Sequence, residues 1–109
     1  VVAVRDVPYP EVDVAECVSE HRDDLGQCAL DRSAVTSGNT PHKDAAAATG
    51  IDLVDLTDQI CLTEVCPAVI DDVLVWRDTH HLSATYARLL AATFAHQLIE
   101  AAPGVFAAE

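Results

Sequence analysis

Segment 76–83 of this chain, Trp-Arg-Asp-Thr-His-His-Leu-Ser, places an acid and a base three residues apart, at Asp78 and His81. In a tight loop this spacing allows the Asp78 carboxylate to accept the proton on one imidazole nitrogen of His81, which leaves the other nitrogen free to face a substrate. Such a pair fixes the imidazole tautomer and stabilises the imidazolium that forms during acyl transfer. The spacing also arises often by chance, and the alternative is an aspartate that caps a loop or helix beside a histidine with no chemical role.

A strand-like run precedes this segment and a long helix follows it. Residues 69–76 read as two short extended pieces or a small hairpin. Ser83 is a natural N-cap for the helix, which is predicted to end at Pro103-Gly104. Apolar side chains recur at helical spacing along it, at Ala87, Leu90, Phe94, Leu98 and Ala101. The acid and the base are therefore expected in a loop between a hairpin and a helix.

The first third of the chain predicts one strand and one weak helix. Residues 1–4 read as a buried strand, which the two prolines of segment 6–10 end because proline cannot continue a central ladder. A loop after the C-terminal end of a parallel strand is where open α/β sheets place their sites. A weak helix is predicted over residues 12–22 with Asp13 as its cap. Residues 22–39 read as polar and irregular.

The middle of the chain predicts a helix followed by a second strand. Thr40 as N-cap and Pro41 at the first helical position begin the helix, and Gly50 ends it. Residues 51–56 alternate between apolar and polar side chains and predict the strand. The strand–helix–strand order implies a parallel sheet with helices packed on its faces, and hence the α/β class. Two parallel strands form a poor sheet, so further strands are expected upstream.

Composition excludes some classes of partner. The 109 residues carry a formal net charge of −12, which phosphate backbones and anionic membrane surfaces repel, so nucleic-acid binding is not expected. Neutral or cationic substrates remain open. No apolar run of about 18 residues predicts a membrane span, and no signal peptide opens the chain. Because the chain starts inside a strand pattern, we expect it to be cut from a longer precursor.

Four cysteines suggest disulfides and an oxidising compartment. Three pairings are possible. Local pairing of Cys17 with Cys28 and of Cys61 with Cys66 is favoured because each pair brackets its own polar or turn-containing segment. The alternative is a zinc site that combines the second pair with the two histidines downstream, although adjacent histidines cannot easily both face one metal.

Residues 78–88 resemble the last block of SGNH hydrolases, whose motif is Asp-x-x-His. They are most similar to the extracellular SGNH domain that is fused to membrane acyltransferases of the acyltransferase-3 family, in its actinobacterial form. There an Arg-Asp pair and a His-Leu pair precede Ala-Thr-Tyr-Ala-Arg. The resemblance extends from residue 1 to about residue 98 and includes further matches, at Val54-Asp55-Leu56-Thr57, Cys61, Val65-Cys66-Pro67, Val69-Ile70, Pro8 and Cys17.

The resemblance implies a fold and a role for each residue of the motif. Residues 1–109 would be the C-terminal part of a three-layer α/β/α, flavodoxin-like SGNH domain with a mainly parallel sheet. His81 would be the general base, Asp78 the acid that orients it, and His80 the variable position between them. The family's block with the nucleophilic serine and its oxyanion-donating Gly and Asn blocks are missing, and segment 37–39, Ser-Gly-Asn, shares only letters with the family name.

The activity implied is that of an extracytoplasmic O-acyltransferase or esterase for acyl esters, above all acetyl esters, of cell-surface or exported glycans. It uses no metal or other cofactor, and its partner is the membrane acyltransferase domain of the same polypeptide, which anchors it. Without the serine the chain alone is expected to be inactive. The alternative is a non-catalytic half-domain that binds a glycan or a protein.

Overall fold

The computed structural model describes residues 2–103, in which short strands and helices alternate and one long helix closes the chain. In chain order the elements are β1 (Val2–Val4), α1 (Val14–Glu20), a 3-10 helix (Leu25–Cys28), β2 (Leu30–Asp31), α2 (Arg32–Thr36), α3 (Pro41–Thr49), β3 (Asp52–Val54), α4 (Thr57–Ile60), β4 (Val65–Cys66), β5 (Val69–Ile70), β6 (Val73–Leu74) and α5 (Ala84–Ala101). The fold is α/β, as the order of predicted elements indicates.

β1 and β3 form the parallel pair that the sequence predicts. Val2 lies opposite Asp52 and Val4 opposite Val54. α3 is the last element of the connection between the two strands and packs on both, whereas α5 packs on β3. Val54 is fully buried and Ala46 of α3 nearly so, because the alanine-rich helix can approach the strands closely. This strand–helix–strand unit places the ends of β1 and β3 side by side.

The ends of α3 follow one sequence signal and depart from another. Pro41 opens the helix, and Gly50 ends it with a left-handed φ of 75° that favours glycine. Thr40 stands at the predicted N-cap position, but its side chain makes no capping hydrogen bond, so only the position of the cap is confirmed. The reason is its helical backbone, since a capping side chain needs an extended residue at this position.

Segment 22–39 is ordered, and the prediction that it is irregular is wrong. β2 pairs antiparallel with β4, with Leu30 opposite Cys66. α2 follows directly, and the Asp31 side chain caps it by accepting a hydrogen bond from the Ala34 amide. These elements are too short to show periodicity, and β2 depends on a strand far along the chain.

The remaining strands form a hairpin in the predicted position. β5 and β6 pair antiparallel around Asp71 and Asp72, whose φ angles of 51° and 63° are those of a two-residue type I′ turn. Aspartate is among the side chains that tolerate this left-handed conformation. Between residues 2 and 103 the parallel pair therefore stands beside two antiparallel pairs.

The hydrophobic core joins α1, the hairpin and the first turns of α5, and its largest member is the fully buried Trp76. Two disulfides lie along it, Cys17–Cys28 and Cys61–Cys66. They are the local pairs that the sequence favours. A cysteine in a disulfide offers no thiolate, so the zinc alternative loses two of its ligands.

α5 begins at Ala84 after its predicted N-cap, Ser83, and reaches Ala101 with Ala102 as its C-cap; Gly104, part of the predicted stop, lies outside the described residues. The apolar residues predicted for one face of α5 are not all buried, since Leu90 is buried whereas Ala87 is exposed to solvent. Within the described part of the chain, no helix is long and apolar enough to cross a bilayer.

A buried polar cluster fixes the loop that follows β1. The Arg5 guanidinium bonds Asp55 Oδ2 at 3.1 Å and Asn39 Oδ1 at 3.0 Å, and Asn39 Nδ2 donates to the Asp6 carbonyl at 2.7 Å. Asn39 is only 1% exposed. The Arg5 side chain therefore joins the ends of β1 and β3, and Asn39 holds Arg5 in place.

Candidate active site

The loop that carries Asp78 and His81 is closed at its base like a short hairpin. Trp76 and Leu82 form an antiparallel bridge. The Arg77 amide donates to the His81 carbonyl at 2.8 Å, and the Ser83 amide donates to the Val75 carbonyl at 2.8 Å. Because Trp76 is fully buried, it anchors the loop in the core and leaves residues 77–81 at the surface.

Ser83 joins this loop to α5. Its hydroxyl accepts a hydrogen bond from the Tyr86 amide at 3.1 Å and donates to the Leu74 carbonyl of β6. The predicted N-cap is thereby confirmed. Since Ser83 caps the helix, Asp78 is not needed for that purpose.

The Asp78 carboxylate organises the loop from within. Its Oδ1 accepts hydrogen bonds from the amides of His80, at 2.9 Å, and His81, at 2.8 Å. The His80 amide, followed by the His81 side chain, holds the pKa of Asp78 well below its usual range. Asp78 therefore remains a carboxylate at any pH at which the protein would work.

The same carboxylate contacts the ring of His81. Nδ1 of His81 lies 2.9 Å from Asp78 Oδ2 and 3.1 Å from Oδ1. Its other ring nitrogen, Nε2, has no hydrogen-bond partner among residues 2–103, and the side chain is 50% exposed. The arrangement can hold the proton on Nδ1 and leave Nε2 free to accept a proton from a reacting group.

His80 packs against His81 rather than duplicating its contact with Asp78. The two ring centroids are 3.9 Å apart, and His80 Nδ1 lies 3.0 Å from the Thr79 hydroxyl but 3.9 Å from Asp78 Oδ1. The three side chains are close enough for a metal ion to be considered. However, both carboxylate oxygens already contact His81 Nδ1.

All four serines of the chain have local hydrogen-bond partners other than His81. Ser19 donates to the Glu16 carbonyl, and Ser37 to the Ala34 carbonyl. Ser33 donates to the Asp31 side chain. Ser83 is the helix cap described above. None of them is placed to hand its proton to Nε2 of His81.

A cleft lies beside the loop, and none of its lining residues was a candidate site residue in the sequence interpretation. Tyr9, Glu11, Thr79 and His80 line a space of about 390 Å³. The Glu11 amide donates to the Thr79 carbonyl at 2.9 Å. This hydrogen bond joins the loop after β1 to the loop that carries the dyad of Asp78 and His81, which we call the dyad loop. The available signal was the proline-flanked loop after the first strand, where α/β folds place their sites.

A family model described as the SGNH domain fused to AT3 domains matches residues 1–96. No curated protein matches the chain. No solved structure matches it either. The family match extends from β1 through most of α5 and includes both Asp78 and His81. The chain therefore belongs to the family of SGNH domains fused to AT3 domains, which are domains of the hydrolase and acyltransferase type.

Proposed function

We propose that this chain carries the histidine and the aspartate of a Ser-His-Asp triad, in an O-acyltransferase or esterase that acts on acyl esters of cell-surface or exported glycans. The observation that carries the proposal is the contact of both Asp78 oxygens with His81 Nδ1, which leaves Nε2 unpartnered within residues 2–103. An ionised acid on one ring nitrogen and a free second nitrogen are what a general base in acyl transfer requires.

The proposed reaction has two halves, and His81 moves a proton in each. A serine hydroxyl attacks the acyl carbonyl while its proton passes to Nε2 of His81, and the departing alcohol takes that proton as the acyl-enzyme forms. The acceptor hydroxyl, or water in an esterase, then gives its proton to Nε2 and attacks the acyl group, which frees the serine. Asp78 stays ionised throughout and stabilises the imidazolium.

The nucleophilic serine, in this proposal, lies outside the 109 residues, which form the C-terminal part of the domain. Three observations support this. Each of the four serines is engaged locally. The chain is also extended, with a radius of gyration of 15.3 Å, whereas a compact domain of this length has about 13 Å. A sheet of two parallel strands is likewise smaller than such folds use.

The proposed setting is extracytoplasmic, and the AT3 domain of the same polypeptide is the proposed partner. The family match supports the partner, because the domain is one fused to AT3 domains. The disulfides support the compartment, because such bonds persist in oxidising environments. In this arrangement the AT3 domain anchors the protein and delivers the acyl group, and the present domain transfers it to a glycan hydroxyl.

The test is His81→Ala in the full-length protein, measured as release of nitrophenol from p-nitrophenyl acetate. We expect a loss of several orders of magnitude, as for removal of a triad histidine. His42→Ala is the matched control, since His42 is an exposed histidine on α3. Full activity of His81→Ala would overturn the proposal and favour the alternative, a half-domain that only binds a glycan or a protein.

A further inference from the structure

We propose, building on the function proposed above, that the cleft lined by Tyr9, Glu11, Thr79 and His80 binds the acceptor, and that this acceptor is the pyranose ring of a neutral or amino sugar. The four side chains come from two loops that lie some seventy positions apart in sequence and meet beside the dyad. We call this space the Tyr9–His80 cleft.

The Tyr9–His80 cleft is one aromatic ring away from the proposed base. His80 lines the cleft on one side and packs against His81 on the other, with 3.9 Å between ring centroids. A sugar ring in the cleft would contact His80, the neighbour of His81. The second half of an acyl transfer requires one of its hydroxyl groups to reach Nε2 of His81, because the attacking hydroxyl must give its proton there.

The walls of the cleft are held in place before any ligand arrives. Tyr9 is fixed at both ends, since its amide donates to the Val35 carbonyl at 2.9 Å and its hydroxyl donates to the Asp6 carboxylate. Glu11 has a left-handed φ of 63°, which is unusual for a residue other than glycine. The hydrogen bond from its amide to the Thr79 carbonyl holds it in this conformation. A rigid wall costs less to order when a ligand binds.

The chemistry of the lining suits a sugar. The ring of Tyr9 offers a flat apolar face with a fixed orientation, against which the C–H face of a pyranose can pack. The exposed Glu11 carboxylate can accept hydrogen bonds from two neighbouring hydroxyl groups, and Thr79 and His80 add further polar contacts. Few polar groups on an aromatic-walled cleft are the usual pattern of a small-molecule site.

Charge narrows the class of sugar. Glu11 places a negative charge in the cleft, and the chain as a whole has a net charge of −12. Uronic acids and phosphorylated sugars would be repelled, whereas neutral hexoses and protonated amino sugars would not. The cleft is therefore expected to separate acceptors by charge.

The test measures acceptor-dependent turnover in the full-length protein, with p-nitrophenyl acetate as donor. Three methyl glycosides serve as acceptors: methyl β-D-glucopyranoside, methyl 2-amino-2-deoxy-β-D-glucopyranoside and methyl β-D-glucuronide. We expect O-acetylated product from the first two and not from the glucuronide. Glu11→Gln should raise the KM for the acceptor sugar by about tenfold, because hydrogen bonds to a charged carboxylate are replaced by weaker ones to a neutral amide. The value of kcat should change less.

Two control variants make the result specific. Glu20→Gln removes the same charge from an exposed position on α1 and should leave the acceptor KM unchanged. Tyr9→Phe keeps the ring and should keep most of the affinity that Tyr9→Ala loses. An unchanged KM in both Glu11→Gln and Tyr9→Ala would overturn the proposal, and so would equal use of the glucuronide.

Failure of the cleft and failure of the triad give different results. If nitrophenol release depends on His81 but no glycoside in the panel is acetylated, the triad stands and the sugar site is wrong. If nitrophenol release survives His81→Ala, the proposed function itself is wrong. Each outcome therefore decides one of the two statements.

Discussion

The cluster of Arg5, Asn39 and Asp55 and the dyad of Asp78 and His81 both pair a carboxylate with a nitrogen-bearing side chain, but they differ in exposure. The nitrogen-bearing side chains differ, because Arg5 is 9% and Asn39 1% exposed whereas His81 is 50% exposed, while the two carboxylates are alike, with Asp55 31% and Asp78 35% exposed. Every side chain of the first cluster bonds groups from other parts of the chain. In the second, one imidazole nitrogen has no partner among the described residues.

The pKa values of the two aspartates are both lowered, but by groups from different parts of the chain. Burial acts to raise the pKa of Asp55, but hydrogen bonds from Thr57 and from Arg5 outweigh it, so the pKa is lowered. The pKa of Asp78 is lowered chiefly by the His80 amide and the His81 side chain, which belong to its own loop. The buried cluster therefore joins distant elements, and the exposed dyad is organised locally and remains open to a substrate.

The largest effect that separates the two clusters is expected from Asp78→Asn in the full-length protein. The amide keeps the size of the side chain but removes the counter-charge of the imidazolium and can favour the wrong tautomer of His81. Nitrophenol release should fall by at least about tenfold, while the melting temperature falls only slightly. Unchanged activity together with a lowered melting temperature would make Asp78 a loop residue only.

The buried cluster should show the opposite pattern when Asn39→Ala is made. This change leaves the Arg5 guanidinium and the Asp6 carbonyl each without one buried partner, so stability should fall by about 1–3 kcal/mol. Urea unfolding of the chain can be followed through Trp76, its single and fully buried tryptophan. Ser37→Ala, at an exposed position two residues away, should stay within about 0.5 kcal/mol of the wild type.

The smallest effect is a pH dependence of stability that belongs to the dyad loop. Because the folded pKa of Asp78 lies below its unfolded value, ionised Asp78 stabilises the fold above the ordinary aspartate pKa of about 3.9. That contribution is lost as the pH falls through the lowered folded pKa. The difference in urea midpoint between wild type and Asp78→Asn should therefore be largest near neutral pH and shrink in acid. A difference that grows in acid would contradict the assignment.

Elements with strong local signals were predictable from the sequence. Asp13 caps α1, Ser83 caps α5, and Pro41 with Gly50 bounds α3, because each signal acts within one turn of helix. The order of strands and helices was also enough to predict the parallel pair of β1 and β3. The spacing of Asp78 and His81 was informative for the same reason, since their contact lies within one loop.

Features that depend on distant partners were not predictable. β2 exists because β4 pairs with it, and neither is long enough to show a period. The Tyr9–His80 cleft joins loops from the two ends of the chain through a single backbone hydrogen bond between Glu11 and Thr79. The sequence shows only that His80 occupies the variable position of the motif. Its contact with the His81 ring depends on the orientation of both side chains, which the sequence does not specify.

The closed base of the dyad loop has a consequence for protein engineering. The Ser83 amide donates a hydrogen bond to the Val75 carbonyl, and Trp76 forms a β-bridge with Leu82. Residues 77–81 are therefore a short loop whose two ends are held together. Substitutions within it that keep Asp78, which accepts hydrogen bonds from the amides of His80 and His81, are expected to leave the strand and the helix on either side in place. Its length cannot change as freely, because one added residue would move His81 out of register with Arg77.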